Sequence, residues 1–83
     1  MELHEQVVAI QTKEDLVEFI IALSKDLGEN AAEWENPTLE RYLDAMASWV
    51  SAMDGYFRNN GQKTPHPSWR LFGEILYAAS LYE

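Results

Sequence analysis

Apolar positions fall at helical spacing in three stretches of the chain. Leu16, Phe19, Ile20, Leu23 and Leu27 stand at i, i+3, i+4, i+7 and i+11, which gathers them on one face of a helix over about residues 13–27. Thr12 is placed to cap it, with Asp15 at the third helical position, close to a capping box. Glu14 and Asp15 occupy the first turn, where the helix dipole favours acids, and Gly28 supplies a stop.

A second helix is predicted over residues 37–59. Leu39, Leu43, Met46, Val50, Met53 and Phe57 alternate by four and three, with Tyr42, Trp49 and Tyr56 flanking the seam. Asn36 reads as its N-cap, with Pro37 at the first helical position and Asn60-Gly61 closing the far end. A stripe this wide exceeds what one neighbouring helix can cover, which predicts that this helix is the central one.

The segment 60–66 turns without helix, since proline and glycine interrupt it. The third helix is predicted over 67–82. Trp69, Phe72, Leu76 and Ala79 line one side of it, and Leu71, Ile75, Ala78 and Tyr82 the next. Its one polar stripe, Arg70, Glu74 and Ser80, also contains Tyr77 and Leu81. A helix apolar nearly all round is buried on most sides or meets another chain. Gly73 within it costs roughly 1 kcal/mol against alanine, which predicts a close backbone approach there.

Upstream of these, residues 5–11 read EQVVAIQ. The β-branched Val7, Val8 and Ile10 favour extended chain, and no second strand-like run exists to pair with them. Residues 1–11 are therefore read as an extended arm, lying across the helices or paired with its own copy in a dimer. The expected architecture is all-α, a three-helix bundle-like single domain over residues 1–83 with that arm in front.

Composition narrows the function more than any motif does. The net charge of −8 is uneven: residues 1–54 carry −9 and residues 55–83 carry +1. Such a surface repels phosphate backbones, which argues against nucleic acid and for a basic protein partner or simple solubility. The absence of cysteine removes disulfides and thiolate metal sites. The N-terminus MELHEQVV lacks the layout of a signal peptide, and no apolar run approaches a membrane span, so a cytoplasmic setting is expected.

Candidate chemistry is sparse. His4 and His66 have no second histidine at ligand spacing, and Asp54-Gly55 lacks the pattern of a calcium loop. No phosphate-binding loop, nucleophile elbow, cofactor motif or catalytic constellation is present, so neither an enzyme nor a cofactor is expected. Trp49 and Trp69 sit on apolar helical faces and are read as core. Trp34, held between Glu33 and Glu35, is either a hook for a partner or a plug against the core, and the plug is preferred. The candidate partner surface is Glu29, Glu33, Trp34, Glu35, Glu40 and Asp44; the candidate self-association surface is Tyr77 with Leu81.

Taken in order, Asp15-Leu16 with Phe19, Trp34-Glu35-Asn36 with Thr38-Leu39, Trp49, Met53-Asp54-Gly55-Tyr56, Pro67-Ser68-Trp69 and the closing Tyr82-Glu83 resemble a small bacterial domain family of unknown function. The resemblance covers nearly the whole chain and implies no activity, cofactor or catalytic residue. In its general look, short and acidic, the chain is also similar to bacterial immunity proteins. The expected function is a non-enzymatic interaction module for a basic partner, with an immunity or inhibitor protein as its sharpest form. A subunit that self-associates through the C-terminal helix, as a homodimer for instance, is the alternative, and a small enzyme or ligand-binding domain the third.

Overall fold

A short helix opens the chain where an extended arm was expected. The computed structural model describes residues 2–82 and places α1 at Leu3–Val8. Leu3, Val7 and Ile10 are spaced by four and three, so a helical turn directs all of them to one side. Val7 and Ile10 are buried there, and Leu3 packs beside them. Burial of that face overrides the β-branched preference of the segment. Met1 of the predicted arm and Glu83 of the closing Tyr-Glu pair lie outside the described residues.

Helix α2 spans Lys13–Asn30. Its capping box is complete: Asp15 N donates to Thr12 Oγ1 at 3.1 Å, and Thr12 N donates to the Asp15 carboxylate at 3.3 Å. Gly28 does not stop it, because its φ is not positive and the helix runs through to a 3₁₀ turn at Ala31–Glu33. Helix α3 spans Leu39–Asn59 and starts two residues later than expected. Thr38, not Asn36, caps it, its hydroxyl accepting from Arg41 N at 3.3 Å. At the far end Gly61 does take the left-handed conformation, with φ 73°. Helix α4 spans Trp69–Leu81, and the Ser68 hydroxyl accepts from Leu71 N at 3.0 Å. The chain is thus all-α, and no strand occurs among the described residues.

The central helix is α4, which corrects the expectation for α3. It contacts α1, α2 and α3, whereas α3 touches neither α1 nor α2. One core layer holds Val7, Ile10, Leu16, Phe19 and Leu23, with Leu76 and Tyr77 of α4 packed against it. The other holds Trp49 and Phe57 of α3 with Leu71, Ile75 and Ala78 of α4. The apolar wrap of α4 is thereby accounted for: it serves a core on each side. Trp69, expected in the core, is 45% exposed because it forms the first turn of α4, ahead of both layers.

Gly73 meets its expected close approach. A Cβ placed there would stand 2.5 Å from Ile10 Cδ1 and 3.4 Å from Val7 Cγ2, so the absent side chain is the seat of α1. The molecule is a slab, 34 × 27 × 17 Å, with α1 and α2 on one side of α4 and α3 on the other.

Candidate interaction surface

Four carboxylates come together at the end of α2. The last turns of that helix carry Asp26 and Glu29, the 3₁₀ turn brings Glu33 and Trp34 back toward them, and α1 contributes Glu2 from its N-cap. With His4, Lys25 and Tyr77 they line an open groove of about 470 Å³. Burial and the charges of Glu2 and Asp26 push the Tyr77 phenol up from its ordinary value.

Trp34 closes the edge of this groove as a plug. Its indole is half-buried against the α1/α2 core, and its ring centroid lies 6.0 Å from that of Tyr42. Its Nε1 donates to Asp26 Oδ2 at 2.8 Å, while Asn30 Nδ2 donates to the other oxygen at 2.9 Å. Two donors therefore fix the Asp26 carboxylate in place. Asp26 was absent from the predicted surface, and so was Glu2. The seven residues between Asp26 and Trp34 include a helix end and a 3₁₀ turn, so spacing alone does not reveal their contact.

The remaining predicted residues separate. Glu35 and Asp44 line a second depression of about 300 Å³ with Arg41 and Tyr82, and the Arg41 guanidinium donates to the Glu35 carbonyl. Glu40 lies exposed on the first turn of α3, outside both depressions. Tyr77 and Leu81, one helical turn apart on α4, line the acidic groove together. Tyr77 packs edge-on against Phe19, with centroids 6.3 Å apart and planes at 80°, and is half-buried beside the α1/α2 core. Leu81 remains half-exposed.

A third groove went unread in the sequence. Because α2 and α3 flank α4 without meeting, a channel of about 360 Å³ runs between them over Leu76. Ile20, Leu23 and Leu27 form one wall, Leu39 and Tyr42 the other, and no charged residue lines it. Half-buried Tyr42 donates to the Leu76 carbonyl at 2.7 Å at its floor, and burial pushes its phenol up to about 12. Leu39, Leu43 and Val50, assigned to the seam that α3 would bury, are exposed, and Leu39 lines the channel.

His4 and His66 are both exposed, and they lie on different elements. Among the described residues no three histidines or carboxylates are grouped to hold a metal ion. Ser80 is buried, its hydroxyl donating to the Tyr77 carbonyl at 2.6 Å within its own helix. No helix of the described residues is long and apolar enough to cross a membrane.

No curated protein and no solved structure matches the chain. From the Thr12 cap of α2 through α3 and α4, residues 12–83 match the family of unknown function DUF7660, and the chain belongs to that family.

Proposed function

We propose that the chain is a non-enzymatic interaction module that receives a basic protein partner on the acidic groove between α1 and the end of α2. The observation that carries this reading is the grouping of Glu2, Asp26, Glu29 and Glu33 around Trp34. None of these acids has an ion-pair partner among the described residues, where the one pair within 4.0 Å is Lys13 with Glu14. Like charges held together repel, and a basic partner relieves that repulsion while being steered in by the long-range field. An inhibitor or immunity protein, which must reach its target quickly, is the sharpest form of this module. We place it in the cytoplasm, where a chain without cysteine has no need of oxidising conditions.

The experiment is a binding measurement on a captured partner over a range of salt, paired with Glu29→Lys and Glu33→Lys. The association rate is expected to fall steeply from about 50 mM to about 500 mM salt, and charge reversal is expected to abolish capture. A partner held equally well at both salt concentrations, and by the reversed variant, would sink the proposal.

A further inference from the structure

We infer that a second copy of this chain seats on the apolar face that α2 and α3 form above α4. This face shares Trp34 as a wall with the acidic groove but none of that groove's carboxylates, so separate variants test the two proposals.

Its amount of apolar surface fits a dimer. Ile20 of α2, Leu39, Leu43 and Val50 of α3 and Phe72 of α4 are between 39% and 73% exposed. Phe72 stands one turn before Leu76, the floor of the channel, and so extends it. At roughly 80–120 Å² of open surface for a half-exposed large side chain, these five present about 400–600 Å². A standard interface covers about 800 Å² per partner, of which a homodimer makes about 65% apolar, or roughly 500 Å². The two areas agree.

The shape fits a twofold axis. An isologous interface uses the same patch on both subunits, so a projecting feature must lie beside the recess that receives it. Here the ridge of Leu39, Leu43 and Val50 borders the channel walled by Ile20, Leu23 and Leu27. A twofold rotation places the ridge of each copy in the channel of the other, with both copies of α3 at the centre.

Charge selects the occupant. The channel has no charged lining residue, so a strongly basic partner gains nothing there that the acidic groove does not offer better. Two chains of net charge −8 repel at long range, but that repulsion is screened beyond about 8 Å at physiological salt. Glu2, Asp26, Glu29 and Glu33 line a different groove, so they are not forced together by the contact.

The test is sedimentation equilibrium of the full chain from about 1 μM to about 1 mM, the span over which weak dimers form. The expected result is a mass that rises from 9.5 kDa toward twice that value. Leu43→Glu is expected to weaken the dimer about tenfold or more with helix content unchanged, while Glu33→Lys leaves it intact. A monomer throughout the range overturns the inference, and so does a dimer broken by Leu81→Glu but not by Leu43→Glu. Should Leu43→Glu unfold the chain, Leu39→Glu, on the same exposed ridge, decides the matter. Loss of the dimer in that folded variant supports the seat on α3, and a dimer of undiminished affinity overturns it.

Discussion

The side chain of Asn36 reaches across the fold to the end of α4, where its Nδ2 donates to the Tyr82 carbonyl at 2.6 Å and to the Ala79 carbonyl at 3.1 Å. The backbone N–H groups of Glu35 and Asn36 donate to the Ser80 carbonyl, at 3.2 and 3.3 Å. A helix end leaves its last carbonyls without partners, and here a distant segment supplies them. The segment Trp34-Glu35-Asn36 is thus a tertiary cap for α4. Replacing Asn36 by Ala should cost about 2 kcal/mol, since buried carbonyls lose their donor. Asn36→Asp should cost more, because a carboxylate facing carbonyls repels them. Chemical denaturation of the three proteins checks the order.

The contact of Gly73 with Ile10 predicts a coupled pair. Gly73→Ala gains helix propensity but forces Ile10 Cδ1 to move within a packed layer, so a net loss of about 1 kcal/mol is expected. Ile10→Val deletes the obstructing atom and should itself cost about 1 kcal/mol. Together the two should cost less than their sum by about 1 kcal/mol. Additive losses in the double-mutant cycle would show that the close approach is not felt.

Tyr42 should make the protein sensitive to alkali. Its folded value of about 12 lies above the ordinary 10.0, so the unfolded chain releases that proton first. Stability from this group is full below pH 10 and declines as the pH rises toward 12. In a spectroscopic titration of the phenols, the Tyr42 component should appear last. Tyr42→Phe should remove that part of the alkaline loss, at a cost of about 1 kcal/mol for the hydrogen bond to Leu76.

The three tryptophans should differ in emission. Trp49 is buried, Trp34 is half-buried with its N–H on Asp26, and Trp69 is the most exposed. Difference spectra against Trp34→Phe and Trp69→Phe should therefore show the Trp34 component at shorter wavelength than that of Trp69. Asp26→Ala frees the indole N–H and should shift the Trp34 component toward the red. If Trp34 already emits as a fully solvated indole, its assignment as a plug is wrong.

The long helices were legible because their signals are local. The capping box of Thr12 and Asp15, the serine before Trp69 and the turn at Gly61 each act within a few residues. What went unread depends on contacts between distant positions. Asn36-Pro37 has the form of a helix start, yet Asn36 is drawn to carbonyls 43 and 46 residues away, which leaves the cap to Thr38. Leu3, Val7 and Ile10 carried a helical spacing of their own, outweighed in the reading by β-branching until the groove at Gly73 is known. The acidic surface shows the same limit. Its residue types were plain, but which carboxylates share a groove depends on how the chain turns at Ala31–Glu33.

The missing side chain at position 73 also orders events in time. Six residues are too few to hold a helix in water, so α1 can form only against a surface that is already built. That surface consists of Leu16, Phe19 and the bare backbone at Gly73, and it exists only once α2 and α4 have docked. The first helix in the chain is therefore the last to assemble and the first to leave, and its amide protons exchange with solvent before those of α4.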